Sequence, residues 1–166
     1  QDRTSSVIKV VSSKGDLAHG ANLHGAICDE LHVHKSLSLL EAMETGTGAR
    51  EQPLTMVITT ADDGSVGTPY DQRIELVDNI CKGAVEAPRS FAVVWCADPE
   101  DDPWSEETWA KANPLYPVTP SRAFMQSAAD KAKTDPVAKA SFLRLHLGIS
   151  GRLDEAWISR ADWMRG

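Results

Sequence analysis

Short apolar runs alternate with helix-forming stretches through the first two thirds of the chain, and that alternation leaves few architectures open. Four runs read as strands: Ser6 to Val11 (SVIKVV), Gly25 to Asp29 (GAICD), Leu54 to Thr60 (LTMVITT) and Phe91 to Cys96 (FAVVWC). Three are continuously apolar, the pattern of strands buried on both faces in a parallel sheet layered with helices. Between the second and third, Ser36 is a candidate cap for a helix that places Leu37, Leu40 and Met43 on one face and ends at Thr45 and Gly46. Before the fourth, Thr68 and Pro69 form an N-cap with proline at the first helical position, followed by Tyr70, Ile74, Val77 and Cys81 at helical spacing. The expected class is α/β, with two strand-helix-strand units in succession.

After Ala97 the strand pattern stops. Ser105 with Glu106 and Glu107 opens a short helix that must end by Asn113, because Pro114 disfavours helical geometry in the residue before it. Thr119-Pro120 and Asp135-Pro136 repeat the cap-plus-proline signal and predict helices through Ala123, Phe124, Ser127 and Ala128, and through Ala138, Phe142 and Leu145. Gly148 is placed to end the second, and a further short helix is expected from Ser159. The expected division is an α/β part, residues 1–97, and a helical part, residues 98–166.

A chain of 166 residues accommodates one domain, or one domain and a small appendage. At 42% apolar and 25% charged it has the composition of a globular chain with a core. Its longest apolar run, Phe91 to Ala97, is far short of the roughly 20 residues a membrane helix needs. It starts Gln-Asp-Arg, without an initiator methionine or a secretory signal, so a fragment of a longer protein is expected. Cys28, Cys81 and Cys96 are odd in number, far apart and set among apolar neighbours, which favours buried, reduced thiols in a cytosolic protein. A net charge of −7 argues against binding nucleic acid by bulk charge. Six carboxylates lie between Asp98 and Glu107, a poor place for DNA, whereas from Thr119 onward eight Lys/Arg outnumber five Asp/Glu.

The strongest chemical signal is Ala26-Ile27-Cys28-Asp29-Glu30-Leu31-His32, an apolar strand that delivers adjacent carboxylates at its C-terminal end. In open parallel sheets that end is where ligands bind. In a P-loop nucleoside triphosphatase the first acid serves Mg²⁺ and the second takes a proton from the attacking water, a division suited to neighbours whose side chains diverge. The bland alternative is a strand ending in two solvated acids. The next strand runs into Ile58-Thr59-Thr60-Ala61, whose hydroxyls can bond a water or a phosphate oxygen and report its presence along the chain.

These residues, with Gly46-Thr47-Gly48-Ala49-Arg50-Glu51-Gln52-Pro53, Asp101-Asp102-Pro103-Trp104, Glu107, Trp109, Lys111 to Pro114, Ala156-Trp157-Ile158 and Trp163, resemble in order and spacing the large terminase subunit of tailed bacteriophages. The resemblance runs from about Ser6 to Trp163. It implies a partial P-loop NTPase-type (ASCE) parallel sheet with flanking helices, followed by a small helical lid or linker subdomain. It implies Asp29 as the Walker B metal-side acid, Glu30 as the catalytic glutamate, and Thr59, Thr60 and Ala61 as the coupling motif between ATP hydrolysis and DNA movement. For the parent protein it implies ATP and Mg²⁺ as cofactors. The implied partners are double-stranded DNA, the small terminase subunit and the portal, in the cytoplasm of the bacterial host.

Two departures accompany the resemblance. Where the family usually continues the coupling strand with glycine, this chain has Asp62 and then Asp63. No GxxxxGK[ST] occurs in the 166 residues, so the fragment is expected to bind nucleotide weakly. Gly46 and Gly48 do not substitute, since they follow a helix instead of opening one. The acidic cluster of a nuclease is not identified either. A sheet lacking its P-loop strand would expose a backbone edge, and self-association is then expected.

Arg50 is a candidate phosphate contact or a plain ion-pair partner, and Arg3 is a phosphate contact or a terminal charge. His19, His24, His32 and His34 raise the alternative of a metal centre, although His32 fits better as a packed, hydrogen-bonded neighbour of the acids. The tryptophans, Trp95, Trp104, Trp109, Trp157 and Trp163, fit core and subdomain packing better than base stacking. Two rival functions stay open: a DExH-type helicase or translocase, since Asp29 to His32 spells that box, and a noncatalytic interaction domain. A helicase should continue into a second α/β domain after Ala97, where this chain turns helical.

Overall fold

In the computed structural model, which describes residues 6–12 and 22–151, β1 (Gly25–Asp29) and β2 (Leu54–Ile58) pair in parallel, from Gly25 opposite Leu54 to Asp29 opposite Ile58. The crossover between them carries a 3₁₀ turn (Leu31–Val33) and α1 (Ser38–Thr45). By packing, the chain divides into two compact units, residues 1–58 and 59–166.

In the first unit α1 covers one face of β1. Ala26 packs with Leu39, Ala42 and Met43, and Cys28 with Leu31 and Leu40. Val11 and Leu23 close the first of these clusters and Leu37 the second. On the other face the described residues are exposed: Ile27 at 66%, with Leu54, Met56 and Ile58 on β2. The two-sided burial expected of continuously apolar strands is therefore not seen in β1 and β2. Ser36 does not cap α1, because its hydroxyl pairs with Ser38 Oγ at 2.8 Å and the helix starts from Leu37 without a side-chain cap. Gly46 does follow the last helical residue, with its N–H on the Ala42 carbonyl.

In the second unit α2 (Pro69–Cys81) begins as predicted, Thr68 accepting from the Asp71 N–H. Tyr70 is buried and Ile74 and Val77 are half-buried, but Cys81 is exposed at the end of the helix, against the expectation of a buried thiol. The helical core is built by α3 (Glu106–Ala112), α4 (Arg122–Thr134) and α5 (Pro136–Leu147) around Trp109, Met125, Ala129, Phe142 and Leu147. Alanines at 129 and 132 present little side chain at the α4 face that enters this core, and Trp104 stacks on Phe142 at 5.8 Å. Asn113 donates to both the Trp109 and the His146 carbonyls at 2.9 Å, fastening the end of α3 to α5. Lys111 bridges Asp98 and Asp101, which holds the Asp101 carboxyl below, and the Lys111 ammonium above, their ordinary pKa values.

Two predicted strands and, besides the start of α1, two boundaries differ. Among the described residues the sheet has two strands. Ser6 to Val11 and Phe91 to Cys96 form no ladder, and Val7, Ile8, Val10, Phe91, Val93, Val94 and Trp95 are exposed. Apolar composition makes a segment suitable for a strand, but a strand exists only where a neighbour takes its N–H and C=O groups. The chain settles only at Ala97, which is buried and donates to the Leu147 carbonyl at 2.8 Å. The ladder of β2 stops at Ile58, two residues before the predicted end. The cap of α4 is Ser121, which accepts from Phe124 N–H, so the helix starts two residues later than Thr119-Pro120 suggests. The Asp135 cap and the Gly148 stop of α5 match expectation; Gly148 has φ +67° and lies so close to the Trp95 carbonyl that a Cβ would clash. The helix expected from Ser159 lies outside the described residues.

Candidate functional site

β1 delivers Asp29 at the last position of its ladder, and the chain turns sharply at Glu30, whose φ of 52° and ψ of 49° are left-handed. For a residue with a full side chain this conformation costs about 1–3 kcal/mol and persists only where neighbours enforce it. The enforcement is visible. Leu31, 1% exposed, is sealed beside Cys28 and Leu40, and the turn closes with Val33 N–H on the Glu30 carbonyl and His34 N–H on the Leu31 carbonyl. Burying one leucine contributes about 1.5–3 kcal/mol, enough to offset the strain.

Two histidines brace the acids. His32 Nδ1 lies 3.0 Å from Glu30 Oε2, and the imidazole is mostly buried while the carboxylate is half exposed. His34 Nε2 meets the Asp29 carbonyl at 3.2 Å and Cys28 Sγ at 3.9 Å. Asp29 Oδ1 accepts the Glu30 N–H at 3.0 Å. Burial, and then the Asp29 charge, push the Cys28 thiol above its ordinary pKa, so this cysteine is poorly suited to act as a nucleophile. The pair thus presents two exposed carboxylates on a braced turn, with the packed, hydrogen-bonded His32 that the sequence suggests.

Ile58 stands opposite Asp29, and the chain continues directly into Thr59, Thr60 and Ala61. Thr59 is exposed with its hydroxyl on the Thr60 carbonyl at 3.0 Å, Thr60 is half-buried and Ala61 is buried. The turn that follows does without a glycine at position 62. Gly64, two residues on, supplies the positive φ of 91°, and its N–H closes on Asp62 Oδ1 at 3.0 Å. Asp62 itself is 3% exposed, a buried carboxylate that sequence reasoning noted only as a departure. The Asp-x-Gly spacing ahead of a Thr-Pro cap is the signal that could have marked it.

Arg50 donates through Nε and Nη2 to the Asn22 carbonyl at 3.2 and 3.0 Å and stays exposed. Gly46 and Gly48 sit in the cap and turn after α1. His24 is exposed, while Arg3, His19, Trp157 and Trp163 lie outside the described residues. Trp109 is buried with its indole N–H on the Pro103 carbonyl at 2.9 Å, Trp104 is partly buried against the helical core, and Trp95 is exposed. Among the described residues no three of His, Cys, Asp and Glu converge as a metal site, and no helix is long and apolar enough to cross a membrane.

This α/β arrangement, with paired acids at the carboxyl end of a parallel strand, has relatives. Two models of one family match in succession: terminase large subunit, ATPase domain, over residues 1–78, and terminase large subunit, endonuclease domain, over residues 84–165. The chain is 33% identical over 144 residues to Protein YmfN of Escherichia coli K12, covering 87% of this chain and 31% of that protein. It is 28% identical over 159 residues to the terminase large subunit of Enterobacteria phage HK97, covering 93% and 30% respectively. The crystal structure of the HK97 bacteriophage large terminase matches with a TM-score of 0.69 at 27% identity, over 86% of this chain and 29% of that one. The chain belongs to the terminase large subunit family. It spans about a third of the length of these relatives. The endonuclease match covers the segment for which the sequence suggested a lid or linker without a nuclease.

Proposed function

We propose that this chain carries the Walker B half of an ATP-driven motor that packages viral DNA, residues 1–97, joined to a helical lid or linker subdomain, residues 98–166. The observation that supports it best is the pair at the end of β1: Asp29 on the ladder, and Glu30 held in a left-handed conformation with its carboxylate on His32 Nδ1. A strained residue on a buried support is characteristic of a group whose position matters more than its local stability.

In this reading Glu30 is the general base. One carboxylate oxygen lies against His32, which leaves the other to accept a proton from the attacking water. Asp29 would hold Mg²⁺: its exposed carboxylate supplies the hard oxygen ligand that this ion takes. Bound there, the ion would neutralise charge on the phosphates. Thr59, Thr60 and Ala61 form the coupling motif, and Arg50, exposed beside the loop after α1, is the candidate phosphate contact. In the longer protein the cofactors are ATP and Mg²⁺, the partners double-stranded DNA, the small terminase subunit and the portal, and the setting the host cytoplasm. The endonuclease-domain match covers residues 84–165 and so includes the helical part.

The 166-residue chain is expected to hydrolyse ATP little by itself. Joined to an upstream segment bearing a P-loop, it should bind and hydrolyse ATP, and Glu30→Gln should lower turnover by roughly 10²-fold or more while nucleotide binding persists. Unchanged turnover in Glu30→Gln would remove Glu30 from its role. Absence of binding and hydrolysis in the joined protein would favour a noncatalytic interaction domain.

A further inference from the structure

The buried carboxylate of Asp62 has more donors than a turn requires. Its Oδ1 accepts the Gly64 N–H at 3.0 Å, which is sufficient to close the turn. The same oxygen also accepts from Ser150 Oγ at 2.8 Å, and Oδ2 accepts from Thr68 Oγ1 at 3.1 Å. Thr68 Oγ1 in turn accepts the Asp71 N–H at 3.0 Å, so the hydroxyl that caps α2 is itself fastened to Asp62. The Asp62 carbonyl takes the Gly151 N–H at 3.4 Å. Gly151 approaches so closely that a Cβ there would overlap the Asp63 carbonyl, and only glycine fits. One side chain thus gathers the turn after Thr59 to Ala61, the start of α2 and the segment that leaves α5, 88 residues away in sequence.

Keeping a carboxylate at 3% exposure is costly unless its lone pairs are filled, and an apolar residue would pack such a site without that cost. What the carboxylate offers instead is fixed geometry, since three donors from three places hold those places in one relation. We propose that Asp62 is a positioning residue, the joint that makes the coupling residues move as one body with α2 and with the segment following α5. The proposal rests on the reading of Thr59, Thr60 and Ala61 as the coupling motif.

The test uses the full-length terminase that carries this segment, measuring ATP hydrolysed and DNA translocated into capsids. Asp62→Asn and Ser150→Ala are each expected to lower the DNA moved per ATP roughly tenfold, within the range of coupling between distinct sites, with hydrolysis kept within about twofold. Ser150→Thr, which keeps the hydroxyl, should restore the ratio. A merely structural role would reduce both activities together, in proportion to folded protein, and that result overturns the joint. If Asp62→Asn does not fold, Ser150→Ala decides alone, and a wild-type ratio in that variant also overturns it. Thr60→Val tests the underlying reading separately. Full coupling in Thr60→Val refutes the coupling motif, whereas uncoupling there beside a normal Ser150→Ala leaves the motif standing and rejects the joint.

Discussion

Met125 and Leu147 are sealed in the core of α4 and α5, whereas Ile27, two residues before Asp29, is two-thirds exposed. Both regions are rich in apolar residues, yet among the described residues the helical one buries the larger cluster. Helices close their backbone hydrogen bonds internally, so α3, α4 and α5 need only bring their apolar stripes together. Strands need neighbours along both edges and cover on both faces, and β1 and β2 have one shared edge and one covered face among the described residues. The difference teaches that, among the described residues, the acid-bearing strands keep one apolar face exposed while the helices bury a core between them.

The largest effect expected on this contrast comes from Trp109→Ala. The indole is buried and bonded to the Pro103 carbonyl, and its removal should cost about 3–5 kcal/mol in denaturant unfolding. Hydrogen exchange should show the loss in α3 to α5; a loss of protection confined to β1 and β2 would break the contrast. Next is the exposed face of the strands. The chain is expected to self-associate, and Ile27→Lys with Met56→Lys should weaken association at least roughly tenfold in sedimentation velocity, since one buried apolar side chain already accounts for more than that. A wild-type chain strictly monomeric at high concentration would show that the face needs no partner.

A smaller effect tests the braced turn. Glu30→Gly should stabilise the chain by about 1 kcal/mol, because glycine adopts φ 52° without strain, even as it removes the proposed base. Destabilisation would mean that the His32 contact outweighs the strain. The smallest expected effect is the pH response of the helical part. Burial holds His146 below its ordinary value near 6.5, with its ring against Phe124 and Phe142. The unfolded chain therefore binds the proton more readily. This contribution is present above that value and is lost as pH falls through 6.5 and below. Melting temperatures recorded from pH 8 to pH 5 should fall more steeply for the native chain than for His146→Phe.

Much of the local structure is legible from particular residues. Thr68-Pro69, Ser105, Asp135-Pro136 and Gly148 mark helix ends where the structure has them, because capping depends on one side chain and the backbone beside it. Ser36 and Thr119 carry the same type of signal and fail, each yielding to a start one or two residues further on. The errors in strand assignment have a different origin. Phe91 to Cys96 has the composition of a core strand, and only the presence of a partner could make it one.

From the order of residues alone come the α/β class, the helical turn of the chain after Ala97, and Asp29 and Glu30 at a strand end. Each follows from periodicity or from chemistry within a few residues. Tertiary structure decided what depends on distant parts of the chain: the exposed face of the sheet, the left-handed Glu30 braced by a buried Leu31 and by His32, and Asp62 with Ser150 on one carboxylate oxygen. Burial and long-range hydrogen bonds are properties of what comes to lie alongside, and the 88 residues from Asp62 to Ser150 are beyond the reach of any local pattern.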